Sequence, residues 1–119
     1  MESEWHMSIF SRRFKKEIAP LPAGLEKVTQ LIAKKWIIAI LYVLKESDMT
    51  FTQLRNELKS ISNQELAKKL KLLESKGLAG KRQTFRQEDE TSSVYETTVS
   101  GKDLCTLIEN VMEFGDKYL

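Results

Sequence analysis

Two capping boxes in quick succession constrain this chain more than any other feature of it. Thr50-Phe51-Thr52-Gln53 places a hydroxyl at a helix cap and an amide side chain three residues on, so that two orphan backbone donors are satisfied reciprocally. The helix it opens carries Phe51, Leu54 and Leu58 at i, i+3 and i+7, one apolar face. Ser62-Asn63-Gln64-Glu65 repeats the signature almost at once, ahead of Leu66, Leu70 and Leu73 at i, i+4 and i+7. Gly77 then stands where a left-handed C-terminal cap is expected. Helices joined by so short a turn must cross steeply to bury both stripes, which is the helix-turn-helix unit.

The flanking segments complete the plan. Residues 36–44 are nine consecutive apolar residues, well short of the roughly 20 that span a membrane, and predict a helix buried on nearly all sides. Leu25, Val28, Leu31 and Ile32 form a helical stripe before it, and residues 45–48 a polar loop after it. Beyond Gly77, residues 80–86 and 94–99 favour strands, joined by an acidic hairpin tip over 87–93. Ser100-Gly101-Lys102-Asp103 supplies a cap and an acid before a last helix, which sets Leu104, Leu107, Ile108, Val111, Met112 and Gly115 on one side. At the other end, Trp5, Ile9, Phe10, Phe14 and Ile18 alternate with Arg12, Arg13, Lys15 and Lys16, until Pro20 and Pro22 break the chain. The expected organisation is a helical arm over 1–22 and one domain over 23–119. The expected class is mainly α with a small β-hairpin (α+β).

The net charge of +2 conceals a segregation. Residues 1–58 hold 9 basic and 7 acidic side chains, a net of +2. Residues 59–86 hold 8 basic and 2 acidic, a net of +6, and residues 87–119 hold 2 basic and 8 acidic, a net of −6. The positive block covers the second helix of the helix-turn-helix and the first hairpin strand. A helix about 10–12 Å across fits a major groove about 12 Å wide, and its lysines gain affinity by releasing condensed counterions. Ser62, Asn63, Gln64, Ala67 and Lys68 are therefore expected at base edges, with Asn63 and Gln64 offering the donor-plus-acceptor chemistry that favours adenine. Lys69, Lys71, Arg82 and Arg86 are expected at phosphates.

At this point the residues resemble a known family. Lys35-Trp36 with its apolar run, Phe51-x-x-Leu54, Ile61-Ser62, Leu66-x-x-x-Leu70-x-x-Leu73-Glu74-x-x-Gly77-Leu78 and Tyr95-x-x-Thr98-x-x-Gly101 look like the HxlR-type winged helix-turn-helix regulators over roughly residues 23–115. The resemblance implies a dimeric prokaryotic regulator that binds double-stranded DNA, touches it with a hairpin wing, and dimerises through terminal helices. In this chain Phe10, Phe14, Leu104, Ile108, Val111 and Met112 would supply the dimer contact. Family members often carry Cys-Pro thirteen residues before the tryptophan; here Ala23 and Gly24 stand there, so that thiol switch is not expected. The acidic tip, Glu88-Asp89-Glu90, would repel phosphates and leave contact to the wing base.

Other function classes fare worse. Five scattered glycines form no phosphate cradle, and His6 alone supports neither a nucleophile–base pair nor a zinc cluster with Cys105. Glu109 and Glu113 share a helix face that is expected to be solvated, so neither an enzyme nor a cofactor is expected. Cys105 reads as a small apolar filler, because Asp103 beside it opposes the thiolate a sensor needs. A winged helix that binds protein instead of DNA is the alternative, but it would want an apolar or acidic face over residues 63–71. A single-stranded partner would want stacking aromatics, and Phe85 is the one candidate. Residues 1–10 hold no signal-peptide run, and a single cysteine suits a reducing compartment, so a cytoplasmic protein without a membrane partner is expected.

Overall fold

A computed structural model of the chain describes residues 21–85 and 91–119. It falls into two compact units, divided between Lys35 and Trp36. In the first, helix α1 spans Ala23–Ile32, with Pro22 at its cap position and Glu26 in its first turn. The missing N–H of proline costs nothing there, and the acid meets the positive end of the helix dipole.

The second unit runs through α2 (Ile37–Glu46), β1 (Met49–Thr50), α3 (Phe51–Leu58), α4 (Asn63–Ser75), β2 (Ala79–Phe85), β3 (Thr91–Thr97) and α5 (Val99–Tyr118). The strands form one antiparallel sheet in the order β1-β3-β2, with Met49 opposite Tyr95 and Arg82 opposite Val94. Helix-turn-helix, hairpin wing and closing helix follow in the expected order. The third strand is new, because two residues are too few to show alternation.

The apolar run of α2 lies at the centre, as its composition requires. Ile37, Ile40, Leu41 and Leu44 have essentially no exposure, and α2 packs against α3, β3 and α5. Leu54 from α3, Leu66, Leu70 and Leu73 from α4, and Cys105 from α5 complete this fully buried set. Each such leucine is worth roughly 1.5–3 kcal/mol of transfer free energy. Phe51 and Leu58, expected beside Leu54, are only half-buried.

Local chemistry sets the helix ends. Thr50 makes the complete capping box: its hydroxyl accepts from Gln53 N at 3.2 Å while Gln53 Oε1 accepts from Thr50 N at 2.9 Å. Ser62 Oγ accepts from Glu65 N at 3.0 Å and opens α4. Between them Lys59 adopts φ 63°, ψ −70°, and Ser60 N donates to Leu58 O at 2.8 Å. This is the tight γ-turn that L-residues seldom adopt, and it swings the chain from α3 into α4. At the far end of α4, Gly77 takes φ 73°, Gly77 N donates to Glu74 O and Leu78 N to Leu73 O, the Schellman pattern. The last helix starts earlier than Ser100. Thr98 is its cap, with Oγ1 accepting from Gly101 N at 3.1 Å, and Ser100 Oγ donates to Gly77 O at 2.7 Å.

Candidate nucleic-acid interface

With Leu66, Leu70 and Leu73 turned into the core, the 3.6-residue period sets Gln64, Ala67, Lys68 and Lys71 on the opposite face of α4, where all four are exposed. Ser62 and Asn63 are exposed at its leading end. The base-reading candidates thus share one solvated surface. Lys69 lies apart on the flank: its Nζ is 2.8 Å from Glu65 Oε2, and only 13% of its side chain is accessible. A lysine in that position is poorly placed for a phosphate. Asn63 Oδ1 accepts from Arg55 Nη1 of α3 at 3.2 Å.

The wing base is differently organised. Arg82, expected at phosphates, already engages two carboxylates: Nη2 lies 2.9 Å from Asp48 Oδ2 and Nε 3.0 Å from Glu96 Oε1. The Asp48 hydrogen bond first, then that to Glu96, pushes its pKa further above the ordinary guanidinium range. The contacts bind β2 to β3 and to the segment entering β1, so Arg82 acts as a clamp on the sheet. Neighbouring Lys81 is exposed, with Nζ 5.6 Å from the centre of the Tyr95 ring. Arg86 and the acidic tip lie outside the described residues.

Comparison with known proteins then decides the family. The HxlR-like helix-turn-helix family matches this chain over residues 31–119. The chain belongs to that family. An HTH-type transcriptional regulator of Methanocaldococcus jannaschii is 34% identical over 92 residues, which cover 74% of this chain and 78% of that one. Among solved structures, the reduced form of the transcriptional regulator YodB from B. subtilis superposes with a TM-score of 0.75 at 21% identity, covering 82% of this chain and 94% of that one. A regulator assigned to the MarR family, from Porphyromonas gingivalis W83, gives 0.69 at 25% identity over 85% of this chain and 97% of that one. This HxlR-like protein is a transcription regulator with a winged helix-turn-helix fold, and its relatives are regulators, not enzymes.

Helix α5 of this HxlR-like regulator divides into two halves. Leu104 and Ile108, expected at a dimer contact, are 9% and 3% exposed: they fall on the inward stripe with Gly101 and Cys105 and pack against the chain's own core. Within one chain these two side chains are already taken up by the core. Val111 and Met112 point outward at 56% and 52%, joined by Leu107, Phe114 and Tyr118. Phe10 and Phe14 lie outside the described residues. At the root of the outward half, Lys45 Nζ meets Glu109 Oε2 at 2.7 Å and Tyr42 Oη donates to Cys105 O at 3.5 Å. Cys105 is wholly buried, its Sγ 3.8 Å from Leu41 O, and burial pushes its thiol pKa up. That keeps the sulfur a thiol. Among the described residues no helix is long and apolar enough to cross a membrane.

Sequence reasoning missed Arg55 and the double engagement of Arg82. Arg55 lies on the exposed side of α3 four residues ahead of the helix-turn-helix turn, where spacing alone reads it as solvated surface. The turn at Lys59 between α3 and α4 brings it to Asn63.

Proposed function

We propose that this HxlR-like regulator binds double-stranded DNA sequence-specifically as a homodimer on a pseudo-palindromic operator. The observation that carries the reading is the core-opposed face of α4, which exposes Gln64, Lys68 and Lys71, with Ser62 and Asn63 exposed at its leading end. In this reading α4 enters the major groove. Ser62, Asn63, Gln64 and Lys68 meet base edges, and the Ala67 methyl suits a thymine methyl. Lys71 meets a phosphate, and Arg86 is a further candidate. Lys69 and Arg82 join them only by giving up carboxylate partners. The outward half of α5, with Val111 and Met112 at its centre, covers its counterpart in a second copy, since an apolar face this continuous is seldom left to water. A two-fold axis between the copies then sets the half-sites about one helical turn apart. A chromosomal regulator of this kind works in the cytoplasm.

The test is an anisotropy titration on the DNA upstream of its own gene and on scrambled DNA, at several salt concentrations. The expected result is a preference for one sequence and an affinity that falls steeply with salt. Asn63→Ala and Lys68→Ala should each weaken specific binding about tenfold. Binding that is absent, or indifferent to both substitutions, rejects the reading in favour of a protein partner. Light scattering at micromolar concentration should give twice the chain mass, and a monomer rejects the dimer.

A further inference from the structure

Arg55 and Asn63 come from different helices and meet in front of the turn that joins them, with Arg55 Nη1 donating to Asn63 Oδ1 at 3.2 Å. A guanidinium has five N–H donors and no acceptor, so only the oxygen of the amide can face it. The contact therefore fixes which way round the Asn63 amide lies, with Nδ2 and its two hydrogens turned from Arg55. Beside it, Ser62 Oγ accepts from Glu65 N at 3.0 Å, which leaves its proton to donate. Lys68, exposed further along the same helix, carries donors only. The leading edge of α4 is rich in donors.

We infer that Arg55 is a specificity-determining positioning residue: acting through Asn63, it presents a donor and so selects guanine at the base pair that Asn63 faces. The inference rests on the DNA reading above. A free asparagine turns its amide either way and pairs best with adenine, donating to N7 and accepting from N6. With its oxygen held by Arg55, the same side chain offers N–H groups to an edge with two acceptors. In the major groove guanine presents such an edge, N7 beside O6. Arg55 touches no base in this account. It decides what Asn63 can say to one.

Site selection from random DNA, followed by titration at two salt concentrations, tests this with the wild type, Asn63→Ala, Arg55→Ala and the double variant. Asn63→Ala identifies the pair it reads, as the position where base preference flattens. There the wild type should favour guanine over adenine by roughly tenfold, and Arg55→Ala should move the preference toward adenine while other positions keep theirs. Adding Arg55→Ala to Asn63→Ala should change nothing further at that pair. In the DNA-free protein, the Asn63 side-chain amide signal should shift in Arg55→Ala with the remaining amide spectrum retained, which shows the variant folded. A wild type that binds no sequence removes the DNA reading and this inference with it. A wild type that selects a site where Arg55→Ala keeps the guanine preference removes this inference alone. A loss in Arg55→Ala that is equal at all sequences, with a salt slope shallower by about one, makes Arg55 a phosphate contact and also overturns it.

Discussion

Helices α4 and α5 obey one folding rule and present opposite surfaces. Each turns a stripe into the same core, Leu66, Leu70 and Leu73 from α4 and Leu104, Cys105 and Ile108 from α5. Opposite the stripe, α4 shows Gln64, Ala67, Lys68 and Lys71, whereas beside and beyond its stripe α5 exposes Leu107, Val111, Met112, Phe114 and Tyr118 among Glu109, Glu113 and Asp116. The first face is content in water and gains on meeting a polyanion. The second loses free energy in water and gains by being covered. Amphipathicity alone thus does not tell a reading helix from an assembly helix. What the exposed half carries does.

Substitution along the two helices separates folding from assembly most sharply. Leu70, 1% exposed, should cost about 2–5 kcal/mol when cut to alanine, because the core cannot close over the missing atoms. Val111→Ala, in a dilute sample, should fall within about 0.5 kcal/mol of wild type. Raising protein concentration should then stabilise the wild type more than Val111→Ala, since association adds to stability by mass action. Urea titrations at two concentrations measure both. Equal, concentration-independent losses at the two positions would erase the distinction between the faces.

The two helices also meet, end to start. Thr98 Oγ1 and Ser100 Oγ both donate to Gly77 O at 2.7 Å, and a methyl at Gly101 would overlap Leu78 O and Thr97 Oγ1. Backbone cannot step aside as a flexible side chain can, so Gly101→Ala should destabilise by about 1–3 kcal/mol, read by thermal unfolding. A neutral result would mean that α5 is not anchored at the end of α4. At the other end of α4 the opposite sign is expected. Lys59 holds φ 63° in a γ-turn, a conformation that costs a non-glycine residue of order 1–3 kcal/mol. Lys59→Gly removes the Cβ and should stabilise by about 1 kcal/mol, part of the relief being offset by a freer unfolded chain. Lys59→Ala keeps the Cβ and should show no such gain; equal effects would place the strain elsewhere.

Most of this architecture was legible in periodicity and caps. Thr50, Ser62 and Gly77 mark three helix ends by chemistry confined to a few neighbouring residues, and the Leu66-Leu70-Leu73 stripe needs no tertiary knowledge. The illegible parts depend on distant segments. β1 exists because Met49 and Thr50 lie beside Tyr95 and Val94. Thr98 rather than Ser100 is the cap, its hydroxyl accepting from Gly101 N and donating to the distant Gly77 O. Leu104 and Ile108 share their helical side with Leu107 and Met112 closely enough that spacing could not say which would face the core. For the reading surface, the exposed row on α4 followed from the buried one. The salt bridges of Arg82 did not, since Asp48 and Glu96 reach that cation only once the chain is folded, whereas the Glu65–Lys69 bridge is an i,i+4 pair that helical spacing alone would have offered.

The smallest expected effect concerns the boundary between the inward and outward halves of α5. Cys105 is buried, and burial raises its thiol pKa, with Lys45 opposing and Glu109 adding to the shift. Tyr42 beside it is raised as well, first by burial and then by Glu109. A raised pKa means that the folded chain holds its proton where the unfolded chain has lost it. Stability should therefore be flat at neutral pH and fall as pH rises through the ordinary thiol value, about 8.5, until the folded thiol ionises too. Cys105→Ala should start from a lower stability, because it leaves a small cavity, but decline less between pH 8 and 10. Chemical denaturation across that range reads the slope, and the residual fall in the variant reports Tyr42. Slopes that match in the two proteins would show that the sulfur meets water, and that the inward face of α5 opens more readily than that of α4.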